Sequence, residues 1–436
     1  MNTPIHDFIC KYSTSNVSRF HMPGHKGRAF LGLESHDITE VYGADVLLDA
    51  EGIINQSEKN AAAIFGTGGT FYSTEGSTLC IKTMLYTLLL TSVQNSERKK
   101  IIAVRNVHKS FVYACAQLDL DVAWIFPENS DSVCAGAASD AQIERAIKDN
   151  PDALGVFLTS PNYLGQLTDI KAISKICRKA GIPLIVDNAH GAYLKFIGMH
   201  PIDLGADMCC DSAHKTLPVL TGGAYLHVSK EKKDLYAPLI KNAMSAFAST
   251  SPSYLIMESL DLCNKYLSEN YTVKLNHTIK QVKSLKDKLI SYGYKIIDGE
   301  PLKLTIITNG ECLADILRNK GIECEYYDKT CMVIMISTEN TVTEIEELEN
   351  ALISTDIPQP SIPMKFIGFN QVLSIRKAFL SPYKNIPVEL ADGCICANPC
   401  VSCPPAIPIV VSGEIITKEC IKLLKFYGHK TINIIS

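Results

Sequence analysis

Between about residues 60 and 230, short apolar runs recur between stretches patterned as helix. The runs cover residues 100–104, 121–126, 155–159, 183–186, 207–210 and 223–227. The segments between them include residues 141–148 and 170–180, the second stopped by Gly181-Ile182-Pro183. A strand that is apolar throughout, rather than at every second position, is covered on both faces. Strands that alternate with helices pair in parallel. The pattern therefore predicts an α/β chain built on a mostly parallel, doubly covered sheet. Ligands of such sheets bind beyond the carboxyl ends of the strands, so polar residues just after the runs are the first functional candidates.

Two of those ends carry suggestive chemistry. The run 207–210 leads into Asp211-Ser212-Ala213-His214-Lys215-Thr216, and the run 183–186 ends on Asp187, followed by Asn188-Ala189-His190. Desolvation at a strand end lowers the pKa of a lysine and makes its amine a nucleophile. Together the two ends are what a pyridoxal phosphate (PLP) site needs. Lys215 would form the Schiff base and Asp187 would keep the pyridinium nitrogen protonated. Taken singly, a lysine there is more often a solvated strand end, and an aspartate a helix N-cap. Gly76-Ser77-Thr78 opens the apolar stretch 79–90 and offers free backbone N–H groups, hydroxyls and a positive helix end to a phosphate. The plainer reading of that loop is an N-cap. His108, in Arg105-Asn106-Val107-His108, follows another run and could lie flat on a pyridine ring.

With 436 residues the chain exceeds one core. It is read as an N-terminal arm (1–40), a large cofactor-binding domain (41–255) and a smaller C-terminal α+β domain (256–436). Residues 253–290 read as one long amphipathic helix, followed by strands at 303–307 and 331–336 and a helix at 343–352. A net charge of -4 without a basic stripe argues against nucleic acid. The longest apolar stretch, residues 84–90, is too short for a membrane and reads as buried helix. No signal peptide is visible, so a cytoplasmic protein is expected. Cys394, Cys396, Cys400 and Cys403 have spacing close enough to share a metal, but neighbouring prolines restrict their convergence, and the reading favoured is no metal.

Phe20-His21-Met22-Pro23-Gly24-His25-Lys26-Gly27 resembles the opening signature of the Orn/Lys/Arg decarboxylase family, which are PLP enzymes of fold type I. Further segments agree in order: Asp37 to Val41, Phe71 to Thr78, Asn106 to Ser110, Thr159 to Gly165, Val186 to Ala192 and Ser212 to Thr216. Pro404-Pro405-Ala406-Ile407-Pro408 and Gly413-Glu414 resemble a C-terminal family segment in which Ala406 is glycine and Ser412 proline. The resemblance implies the short bacterial form, without an N-terminal wing domain. It implies that Lys215 carries the cofactor, Asp187 pairs with the ring nitrogen and His108 stacks on the ring. Gly76, Ser77, Thr78, Ser212 and His214 would hold the phosphate. Ala189 would lie beneath the ring and His190 near its oxygen. Catalysis would fall to Lys215, His214, Asp187 and His108.

The expected reaction is decarboxylation of lysine, arginine or ornithine by a homodimer or higher homo-oligomer with sites at its subunit interface. A cationic substrate side chain needs a carboxylate, for which Glu40, Asp45, Asp49 and Glu414 are candidates. The alternatives are an aminotransferase or lyase on the same fold, or a non-catalytic binding protein.

Overall fold

The computed structural model describes residues 1–92, 99–127, 132–366, 368, 370–401 and 405–436. By compactness the chain divides into two units, Met1–Ser96 with Pro183–Leu275 and Glu97–Ile182 with Asn276–Ser436. A seven-stranded sheet is made of β1 (Gly69–Ser73), β2 (Lys100–Val104), β3 (Asp121–Ile125), β4 (Val156–Thr159), β5 (Leu184–Asp187), β6 (Met208–Asp211) and β7 (Ala224–Val228). The six expected runs correspond to β2 through β7.

In the first unit the order is β1-β7-β6-β5, with β5 and β6 parallel and β7 antiparallel to both of its neighbours. In the second, β4-β2-β3 are all parallel. Every residue of β5, β6 and β7 is buried, which explains why these strands read as continuous apolar runs. The chain is thus an α/β protein with a large, mostly parallel central sheet.

The first helices in chain order are α1 (Pro4–Ser13), α2 (Ile53–Phe65), α3 (Gly76–Ser92), α4 (Lys109–Leu118), α5 (Asp140–Asp149) and α6 (Ile170–Ala180). They are followed by α7 (Ala213–Thr216), α8 (Lys233–Ser245), α9 (Tyr254–Ser268) and α10 (Tyr271–Ser291). α3 buries residues around most of its circumference, among them Leu79, Ile81, Met84, Leu85 and Leu88, and packs on β1, β6, β7 and α8. Such all-round burial is why residues 84–90 read as apolar without a stripe. In α9 the carboxylate of Asp261 accepts from the Ile5 and His6 backbone N–H groups at 2.9 and 3.0 Å. An anion at the start of α1 satisfies donors that the helix itself leaves unpaired, and so docks α1 on α9.

The single helix expected over 253–290 is instead α9 and α10. Glu269 leaves helical geometry at φ −95°, ψ −120°. The break buries Tyr271, whose ring meets Phe196 and Tyr266 edge-on at 4.8 and 5.4 Å. Packing of one large aromatic overrides a continuous amphipathic pattern here.

The second unit adds a four-stranded antiparallel sheet of β8 (Lys295–Ile297), β9 (Lys303–Ile307), β10 (Tyr326–Tyr327) and β11 (Cys331–Met335), in the order β10-β11-β9-β8. Further along the chain, Ala406 sits in the left-handed region at φ +58°. An L-residue pays for that conformation with its Cβ, and glycine does not. Ala406→Gly is therefore expected to raise stability by about 0.5–1 kcal/mol. Urea denaturation checks this, and a lowered midpoint would contradict it.

Candidate active site

Asp187 ends β5, and its register partner on the parallel neighbour β6 is Cys210, so Asp187 and Asp211 emerge side by side at the carboxyl edge. After Asp211 the chain turns through α7, closed by bonds from Lys215 N to Ser212 O (3.0 Å) and from Leu217 N to Ala213 O (2.8 Å). Lys215 is thus carried on a single helical turn beyond the strand rather than at the strand end itself. Its Nζ lies 3.0 Å from Nε2 of His190. For the ammonium to donate, that nitrogen must be the acceptor of the imidazole.

Asp187 is buried, and its Oδ1 accepts from Ala189 N at 3.1 Å. Burial pushes its carboxyl above the usual range, while the positive charge of Lys215 pulls the other way. A carboxylate that burial makes costly is suited to a cationic N–H partner.

The start of α3 forms the next part of the site. Gly76 is left-handed at φ +67°, and a Cβ added there would meet nothing within 4 Å. Its N–H donates to Gly222 O at 2.7 Å. Gly222 (φ +100°) must be glycine, because a Cβ would stand 2.9 Å from Thr74 O. The Ser212 hydroxyl donates to that of half-buried Ser77 at 2.9 Å, and Thr78 is exposed beside it. His214 bonds Gly223 O through Nδ1 at 2.9 Å, and burial lowers its pKa. Paired hydroxyls at the positive end of a helix make a ready anion site.

The first unit therefore brings together Gly76, Ser77, Thr78, Asp187, Ala189, His190, Ser212, His214 and Lys215. His108 belongs to the second unit, at the N-cap of α4, where Nδ1 accepts from Ser110 N at 3.2 Å.

Behind the strand ends stands a network outside the sequence expectations. Asp211 Oδ2 accepts from Nε2 of His200 and of His227 at 3.0 and 3.1 Å, all three side chains fully buried. Its Oδ1 accepts from Asn188 Nδ2 at 2.6 Å, and His227 Nδ1 meets the Thr70 hydroxyl at 2.8 Å. Asn188 N also bonds Cys210 O at 2.9 Å, so the residue after Asp187 is fixed twice to β6. Burial opposes ionisation of Asp211, but the two imidazoles hold its carboxyl well below the usual range. A depressed carboxyl contributes stability above its unfolded-state pKa and loses it only in strong acid. Asp211→Asn breaks this buried set and is expected to cost about 3–5 kcal/mol near neutral pH, measured by urea denaturation. A cost below 1 kcal/mol would contradict it. The available signal was a histidine inside an apolar strand, as His227 is in β7.

Two of the four carboxylates considered for a cationic substrate are spent elsewhere. Asp45 accepts from the Gly52 and Ile54 backbone N–H groups at 2.8 and 2.9 Å, at the start of α2. Glu414 is fully buried against Arg105, at 3.2 Å. Glu40 is half-buried and Asp49 exposed. In the cysteine cluster, the Cys396 thiol donates to Asn398 O at 3.0 Å and Cys400 meets His429 Nδ1 at 3.5 Å. Burial pushes the Cys400 thiol up to about 12. Cys403 lies outside the described residues.

The residues present fit PLP: a desolvated carboxylate for a pyridinium, an amine for a carbonyl, and paired hydroxyls at a helix start for a phosphate. No described helix is long and apolar enough to cross a membrane. The sequence matches the family described as Orn/Lys/Arg decarboxylase, major domain, over residues 3–315. It is 28% identical to the Bacillus subtilis (strain 168) protein YaaO, covering 99% of this chain and 95% of that one. It is 29% identical to an arginine decarboxylase of Halalkalibacterium halodurans, covering 96% and 91% of the two chains. Among solved structures, the Francisella novicida lysine decarboxylase LdcF superposes with a TM-score of 0.81 at 18% identity, over 100% of this chain and 81% of that one. A cysteine desulfurase from Thermococcus onnurineus gives 0.56 at 17% identity, over 80% and 90%. These structures share the PLP fold type I. Because the family match covers residues 3–315 and runs through both strand ends, the chain belongs to the Orn/Lys/Arg decarboxylase family of PLP-dependent amino-acid decarboxylases.

Proposed function

We propose that the protein removes CO2 from a basic L-amino acid, arginine, lysine or ornithine, to give a polyamine-type amine. The observation that carries this reading is Lys215 Nζ at 3.0 Å from His190, with Asp187 buried at the adjoining strand end. When bound, PLP supplies the sink for the electron pair left at Cα as CO2 departs. Asp187 would hold the proton on the pyridine nitrogen. Lys215 would anchor the cofactor through its amine, and Lys215 or His214 beside it would return a proton to Cα. Gly76, Ser77, Thr78, Ser212 and His214 grip the phosphate. The family likeness assigns His108 and Ala189 to the ring faces and His190 to the ring oxygen.

In domain terms, residues 1–40 are an arm, 41–255 the cofactor-binding domain and 256–436 the smaller domain. Phe20, Phe30, Leu31 and Tyr42 each expose more than four-fifths of their surface, which supports a homodimer that covers this segment. The setting proposed is the cytoplasm.

Arginine is the first substrate to test, since relatives matched along most of their length are named arginine decarboxylases. The experiment is release of CO2 and amine from arginine, lysine and ornithine by the purified, PLP-loaded protein. Release from one of the three supports the reading. A PLP absorption band with release from none, and keto-acid-dependent turnover instead, would move the protein to transamination.

A further inference from the structure

The loop Arg105-Val107 leads from β2 to His108, and the C-terminal segment 406–414 grips it at both ends. At the leading end the Arg105 guanidinium, fully buried, donates from Nη1 to Pro408 O at 2.8 Å. From Nη2 it reaches Ile409 O at 3.4 Å and Glu414 Oε2 at 3.2 Å. That carboxylate oxygen also accepts from Val411 N at 2.7 Å, so it closes the segment on itself. At the trailing end Lys109 N donates to Ala406 O at 2.8 Å. The rings of Trp124 and Phe366 flank the guanidinium at 5.1 and 5.2 Å.

An ion pair is a poor way to stabilise a core. Desolvating both charges offsets most of their attraction, and apolar residues of the same shape do as well or better. This pair is also under-bonded: Arg105 Nε and Glu414 Oε1 are buried without a partner among the described residues. What the pair does supply is direction. A planar fork that cannot lose its charge fixes Pro408, Ile409 and Glu414 relative to one backbone position. That position is three residues before His108. The bond from Lys109 fixes the position after it.

We infer that segment 406–414 is a positioning clamp for His108, and that Arg105 and Glu414 act on the cofactor through that side chain. The inference rests on the reading of His108 as a residue on the PLP ring. It gives a task to the Ala406-Ile407-Pro408…Gly413-Glu414 part of the C-terminal motif.

The test is PLP titration of cofactor-free Glu414→Gln, His108→Ala and the double variant, followed by absorbance, with urea denaturation of each alongside. Glu414→Gln keeps the shape and removes the charge that fixes Arg105. It is expected to weaken PLP binding by about tenfold, and the double variant to bind no more weakly than His108→Ala alone, since residues that act through one another are not additive. Weakened binding in His108→Ala but not in Glu414→Gln, or effects that multiply in the double variant, would overturn the clamp and leave the reading of His108 standing. Unchanged binding in His108→Ala would remove that reading, and the clamp with it. If Glu414→Gln does not fold, Arg105→Lys takes its place. It keeps the charge and loses the fork, and the same outcomes decide.

Discussion

Lys215→Ala is expected to slow CO2 release by at least about 10³-fold, since a positioned proton-transfer group alone contributes about 10²–10⁴-fold. The alanine also removes the proposed anchoring amine, so the visible band of the PLP-loaded protein should shift to that of loosely held cofactor. Folding should survive the change. Lys215 is only half-buried, and α7 is closed by backbone bonds from residues 215 and 217 that do not involve its side chain. Lys215→Arg sharpens the test. It keeps a cation beside His190 but presents a guanidinium that neither forms the covalent link nor gives up its proton near neutral pH. Both variants should therefore be inactive while unfolding near the parent's midpoint. Turnover within tenfold of the parent in either would remove Lys215 from the reaction.

The strands that lead to this lysine were legible because both faces of the sheet are covered. Continuous apolar runs end abruptly where the polar site begins, and β2 to β7 follow those runs almost residue for residue. The start of α3 was legible for a similar reason, since a glycine and two hydroxyl residues open an apolar helix. What did not show was pairing across long stretches of chain. Asp211 reads as a strand-end acid. Only the fold reveals that His200 and His227, in different segments, converge on its Oδ2. Glu414 read as a carboxylate available to a cationic substrate, and in the fold it is consumed by Arg105, 309 positions away. The break at Glu269 was hidden because both flanking segments carry good helical periodicity, and the cause is the burial of Tyr271. Local pattern reports which face of an element is covered, and gives no account of what covers it.

Asp187→Asn is expected to lower turnover by about 10²–10³-fold, the usual loss when one preorganised electrostatic group is removed from a reacting centre. Its effect on the cofactor-free protein should run the other way. Burial raises the carboxyl pKa in the folded state above its unfolded value. The folded protein therefore holds that proton more tightly, and stability falls as pH rises from the unfolded pKa through the folded one. Near neutral pH, ionised Asp187 is a cost to the cofactor-free fold, which asparagine avoids while its side-chain oxygen still accepts from Ala189 N. Cofactor-free Asp187→Asn should accordingly unfold at a urea concentration equal to or above the parent's at pH 7, with the gap closing toward pH 4. With PLP present the order should reverse, because ligand binding stabilises in proportion to affinity and the variant has lost the anion proposed to face the ring nitrogen. A variant less stable than the parent without PLP would show that Asp187 serves the fold. One that retains turnover within tenfold would show that the ring nitrogen does not depend on it. Only the crossing of the two stability curves, together with the loss of turnover, matches a carboxylate kept buried for a cofactor.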